Sequence, residues 1–174
     1  SGAFVTNNKQ PVIFNIVDES GGSGIDLNSL VVKQDGTAVA SAAVATTAIT
    51  NGYSVTYTPA SALSDGSHTV TVSVSDNDGN AATAKTTTYT VDTVPPTLNI
   101  TAPADNLVTA TASITVSGKT NDGTSSPVTI TITLNGTAQG TVTVATDGSF
   151  SKAVTLADGS NTIVVTAKDA AGKT

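Results

Sequence analysis

Leu63 to Ala81 reads LSDGSHTVTVSVSDNDGNA, and Leu156 to Thr174 reads LADGSNTIVVTAKDAAGKT. Leu63 matches Leu156, Asp65 matches Asp158, Gly66 matches Gly159, Thr69 matches Thr162, Asp76 matches Asp169 and Gly79 matches Gly172. The offset is constant at 93 residues (156 − 63). A period of that length is the length of a domain, so the 174 residues are read as a tandem pair, each member large enough for a modest core.

What fills those cores follows from the pattern inside the repeat. In PVTITITLNG the apolar residues Val128, Ile130, Ile132 and Leu134 alternate with Thr129, Thr131 and Thr133, which is the period of a strand with one wet and one dry face. HTVTVSVSD repeats the alternation with Val70, Val72 and Val74, and ASITVSG repeats it with Ile114 and Val116. No window carries a helical period. Twelve of the thirteen acidic residues are Asp, and six of them precede Gly (Asp35, Asp65, Asp78, Asp122, Asp147 and Asp158), which is hairpin-turn chemistry. With Asn51-Gly52 and Asn135-Gly136 these turns recur at the short spacing of an antiparallel sandwich. Aromatic residues make up only 3% of the chain and there is no Trp, so Val, Ile, Leu and Ala must supply most of the packing.

One segment breaks the alternation. In VDTVPPT, Pro95 and Pro96 cannot donate to a sheet and hold the chain extended, so this is the linker between a first domain over 1–92 and a second over 93–174. TTTYTV, Thr86 to Val91, closes the first domain, but the second copy reaches Thr174 at the position equivalent to Ala81 and is expected to lack that last strand. SGAFVTNNKQPVIFNIVDE matches ADNLVTATASITVSGKTND with one residue of slippage, so nothing in the first domain answers PPTLNIT, and its first strand is expected to be missing. The frame is expected to be that of a fragment cut from a longer array, shifted from the true domain boundary. Each end should expose an unpaired sheet edge, a template for strand-swapped self-association.

Charge and composition narrow the function. Thirteen acidic residues stand against seven Lys and no Arg, a net charge of −6, which leaves no basic stripe for nucleic acid. No apolar run approaches the ~20 residues of a membrane helix, so direct membrane insertion is not expected. There is no Cys to act as a nucleophile, and the one histidine, His68, is matched by Asn161 in the other copy, a poor basis for a general base. Catalysis is therefore not expected. The Gly-rich ESGGSGID lacks the Lys and the helix of a phosphate loop.

SGID, Ser23 to Asp26, YTPASALSDGSHTVTVSVSDNDGNAA, the VDTVPPT junction and DGSFSKAVTLADGSNTIVVTAKDAAGKT together resemble the bacterial immunoglobulin-like repeats found in tandem on surface proteins, adhesins and some secreted glycoside hydrolases. The resemblance covers essentially the whole chain and implies an all-β fold of two tandem immunoglobulin-like β-sandwiches. It implies an exported protein at the bacterial cell surface or outside the cell, with neighbouring repeats of the same kind as partners. The Cys and Trp hallmarks of antibody-type domains are absent.

In a sandwich of that topology DESGGSGID and SDNDGNA lie at the same end, which would gather Asp18, Glu19, Asp26, Asp76, Asp78 and Asn80 as hard oxygen ligands for Ca²⁺. The corresponding end of the second domain holds Asn121, Asp122 and Asp169 and faces the linker with Asp92, where a metal would stiffen the joint. DNDGN falls short of an EF-hand loop, and DAAGK in the second copy is depleted of ligands. Three roles are weighed: a non-enzymatic spacer or stalk, a module gripping a surface glycan or protein receptor, and an accessory domain of a secreted glycoside hydrolase. Sugar binding usually stacks on Trp or Tyr, and the chain has only three Tyr. Tyr53 and Tyr57 share a parity, for which a place in the core is expected over a binding platform.

Overall fold

The alternation becomes fourteen strands and one 3₁₀ turn (Ser41–Ala43) in a computed structural model that describes residues 2–174. No helix among the described residues is long and apolar enough to cross a membrane. The chain divides between Thr93 and Val94 into two units.

The first unit contains β1 (Ala3–Val5), β2 (Val12–Val17), β3 (Ile25–Gln34), β4 (Thr37–Ala38), β5 (Val44–Ile49), β6 (Gly52–Tyr57), β7 (Gly66–Asp76) and β8 (Lys85–Val91). One sheet has the order β1-β8-β7-β3-β4 and the other β2-β6-β5. Val32, Val70, Tyr89 and Val91 of the larger sheet pack with Tyr57 of the smaller, and Val74 packs with Ile16 and Val55, so the two sheets share one dry layer. Tyr57 is 3% exposed, and Tyr53 packs against the same layer. Every pairing in this unit is antiparallel except the first: β1 runs parallel to β8, with Ala3, Phe4 and Val5 opposite Tyr89, Thr90 and Val91.

The second unit contains β9 (Thr97–Ala102), β10 (Ser113–Asn121), β11 (Thr129–Leu134), β12 (Thr137–Ala138), β13 (Ser149–Thr155) and β14 (Ile163–Lys168). Its sheets are β13-β10-β9 and β12-β11-β14. Ile130, Ile132 and Leu134, the apolar parity of TITITL, are buried with Val116, Phe150 and Val154 from the opposite sheet. β14 is the repeat of β7, and the β11–β12 turn at Asn135-Gly136 repeats the β3–β4 turn at Asp35-Gly36. All four turn residues have positive φ (50° and 80°, 49° and 81°), the two-residue geometry that Asn-Gly and Asp-Gly favour. Among the described residues β9 has no counterpart in the first unit and β8 has none in the second.

Candidate functional site

The two acidic loops of the first unit lie side by side. Asp76 is opposite Ile25 and Ser75 opposite Asp26 across the β3–β7 pairing. Beyond the strands the Asn77 N–H donates to the Gly24 carbonyl at 2.9 Å, and the Asn77 side-chain amide donates to the Ser23 carbonyl at 2.7 Å. Within this end each carboxylate organises its own loop. Asp18 accepts from the N–H groups of Glu19 (2.9 Å) and Gly24 (2.7 Å), and Asp26 accepts from the Asn28 N–H (2.9 Å). Asp76 accepts from the N–H groups of Asp78 (3.0 Å) and Asn80 (2.8 Å) and from the Asn80 side-chain amide (2.8 Å). Hydrogen bonding with the Glu19 side chain and the Gly24 N–H lowers the Asp18 pKa; the Asn80 amide lowers that of Asp76, against the repulsion of the Asp18 charge. Asp18 and Asp76 are thus near enough to feel each other. Their oxygens are engaged as turn formers, and Asn80 presents its amide donors to Asp76.

The corresponding end of the second unit is built differently. Asp122 follows β10 and accepts from the N–H groups of Thr124 and Ser125, both at 2.7 Å. Asp169 follows β14, is 5% exposed and accepts from the Lys173 N–H at 2.8 Å. Its second oxygen, Oδ2, is buried and has no hydrogen-bond partner among the described residues. Asp122 and Asp169 bring carboxylate oxygens within 4.8 Å of each other. A buried anionic oxygen left unsatisfied is costly, so this pair has the electrostatic character of a cation site. Asp92 follows β8 in the first unit, where its N–H donates to the Val5 carbonyl at 2.9 Å.

His68 lies near the start of β7. It is 8% exposed, with Nδ1 at 2.7 Å from an Asp35 carboxylate oxygen and Nε2 at 2.8 Å from the Ser64 carbonyl. Both partners are acceptors, so both ring nitrogens donate and the ring is an imidazolium. Burial alone would lower its pKa, but the bonds to Asp35 and Ser64 and the Asp35 charge raise it above the ordinary 6.5. Partial burial opposes ionisation of Asp35, yet the neighbouring Gln34 amide, His68 and the Thr69 N–H together hold that carboxyl at about 2. In the second unit Asn135 and Asn161 take these two places, with the Asn135 amide donating to the Asn161 oxygen at 3.1 Å. The signal in the sequence was a paired change, Asp with His in one copy and Asn with Asn in the other. With its ring closed on two structural partners, His68 offers no free nitrogen for acid–base chemistry.

A bacterial Ig-like domain model matches residues 2–93, and a model of glucodextranase domain B matches residues 96–174. No curated protein is similar enough to match. Among solved structures, the fibronectin(III)-like modules of Clostridium thermocellum CbhA align over 99% of this chain and 84% of theirs, at 15% identity and a TM-score of 0.53. An I-band fragment of titin aligns over 97% of this chain and 62% of its own, at 10% identity and a TM-score of 0.54. At such identities the structural likenesses speak for the fold alone, a pair of immunoglobulin-like sandwiches. The family match over more than half of the chain is what places it: the chain belongs to the bacterial Ig-like domain family.

Proposed function

We propose that the chain is a non-enzymatic, load-bearing spacer segment of an exported bacterial surface protein. The observation that carries this reading is the parallel pairing of the first and last strands of the first unit. Because β1 and β8 run the same way, chain entering through β1 and chain leaving through β8 do so at opposite ends of the pair. Tension applied along the chain then loads their hydrogen bonds in shear, all at once, instead of unzipping them one by one. Gly2 N–H to Thr88 carbonyl (2.8 Å) and Asp92 N–H to Val5 carbonyl (2.9 Å) extend the pair at both ends. The chemistry agrees: the one histidine is consumed by folding, and Tyr57 and Tyr89 lie in the core. A spacer predicts no saturable binding of this chain on glycan and matrix-protein arrays. A saturable ligand lost in Asp76→Ala with Asp78→Ala, at unchanged melting temperature, would replace the spacer with a receptor-binding module.

A second reading rests on the match of residues 96–174 to glucodextranase domain B, which favours an accessory module beside a polysaccharide hydrolase. Retention on an insoluble polysaccharide would support it. Calcium belongs to either reading. The orphaned Oδ2 of Asp169, with Asp122 beside it, supports a bound Ca²⁺ in the second unit, where water would complete a shell of six to eight oxygens.

A further inference from the structure

From Gly36 to Ser64 the chain carries no charged residue, although its net charge is −6. This run forms β4, the 3₁₀ turn, β5 and β6, and β5 is an outer strand of the sheet β2-β6-β5. β5 lies in the middle of the first unit, with chain on both sides of it, and Ala45 to Ile49 are all exposed. The other outer strands of this unit are blunted. β1 has three residues and β4 two, and β2 stands between Pro11 and Asp18 with Lys9 just before it. β5 has six residues and no charge, Pro or Gly among them. Its free groups can be named. The Thr58 N–H donates to the Ala43 carbonyl at 2.9 Å, in the same register that sets Ala45, Thr47 and Ile49 opposite Thr56, Ser54 and Gly52. Bonded and non-bonded positions alternate in an antiparallel pair, so these three residues bond to β6, and the N–H and C=O groups of Thr46 and Ala48 point away from it. The Val44 N–H is directed to the Ser41 carbonyl.

We propose that the β5 edge is a self-association site, at which a second copy of this chain pairs antiparallel about a two-fold axis. Two features point to a copy. A two-fold axis beside the strand brings the edge against itself in antiparallel sense, so each copy supplies the donors and acceptors the other needs. The charges of the chain lie outside 36–64, so two acidic copies repel least where this neutral surface meets its own equal. The register that uses every free group at Thr46 and Ala48 sets Thr46 of each copy opposite Ala48 of the other, with both main-chain bonds made at each such pair. Thr47 then lies opposite Thr47 at the axis, and Ile49, 38% exposed, lies opposite Ala45 of the other copy. A large side chain thus meets a small one on both sides of the axis. The join turns two three-stranded sheets into one continuous sheet. A contact made mainly by one strand pair falls below the size of a stable interface, so the association is weak, with a Kd of about 0.1–1 mM, and it matters where many copies stand close together. The inference goes beyond the spacer reading and does not depend on it.

The test is sedimentation velocity of the full chain between about 10 µM and about 1 mM, with amide hydrogen exchange resolved by residue at both limits. Dimer is expected to grow with concentration. Exchange at Thr46 and Ala48 should slow about twofold or more, while Ala45, Thr47 and Ile49, already bonded to β6, change little. Thr47→Lys sets two ammonium groups opposite each other at the axis, and Thr46→Pro removes an N–H that β6 does not use; each should weaken association at least about tenfold. Thr47 is exposed, so Thr47→Lys leaves the core untouched. Raising salt to about 0.5 M should restore part of the association of Thr47→Lys and none of that of Thr46→Pro. The proposal is overturned by a chain that stays monomeric at the upper limit, by a dimer that Thr47→Lys leaves intact, or by protection centred outside residues 44–49. Protection of Thr46 and Ala48 in a monomeric chain by a blocked Thr-Val hexapeptide also overturns it, since a foreign strand would then be the occupant.

Discussion

At the scale of single residues, the first unit carries a titratable staple that the second replaces with a neutral one. The imidazolium of His68 is held by Asp35 and the Ser64 carbonyl, and its folded pKa is raised, so its contribution is complete below about 6.5 and is lost as pH rises through the folded value. Asp35 is depressed from 3.8 to about 2, so its contribution is present above 3.8 and is lost as pH falls through about 2. The pair therefore stabilises the first unit most between these limits, at mildly acidic pH. Melting followed between pH 5 and 9 should show the first unit losing stability towards high pH. His68→Asn should flatten that dependence and cost about 1–3 kcal/mol at pH 5, because a charge-assisted bond is lost and Asp35 keeps only its remaining donors. In the second unit the residue to test is Asp169. Millimolar Ca²⁺ against excess EDTA should raise the melting temperature of that unit, and Asp169→Asn should abolish the shift. No shift in the parent chain would leave the orphaned oxygen without a cation. His68 reads in the sequence only as a turn-flanking polar residue; Asp122 and Asp169 are legible as a possible metal end of the second domain, whereas burial of the Asp169 oxygen is a property of the packed fold.

At the scale of elements, the strands whose sequence alternates formed with the parity their residues dictate. Ile130, Ile132 and Leu134 face inward in β11 and Val70 and Val74 in β7, because a one-residue slip would have turned those faces to water. The Asp-Gly and Asn-Gly turns at 35–36 and 135–136 were equally legible, since few other pairs accept positive φ at both positions. Neighbourhood of the two acidic loops of the first unit followed from topology, and the Asn77 bonds to Ser23 and Gly24 are its outcome. The use to which Asp18, Asp26 and Asp76 put their oxygens did not follow. An Asp before flexible loop residues can serve its own backbone, a metal or both, and the sequence does not say which N–H groups will reach it. The parallel direction of β1 was also out of reach of pattern: AFV is three residues long, too short for alternation to identify even a strand.

At the scale of the whole molecule, the 93-residue period gave the account its frame, because a repeat of domain length in an alternating chain implies two sandwiches before any strand is placed. In the first unit β8 lies between β1 and β7, and that placement bears on mechanics. On the spacer reading the first unit resists tension through its sheared β1–β8 pair. Single-molecule pulling of the chain from its two ends tests the spacer reading most directly. Two separate unfolding events are predicted, and Phe4→Pro in β1 should lower the force of the first unit's event while sparing the other. A first unit whose unfolding force is unchanged by Phe4→Pro would contradict a load-bearing role for this chain.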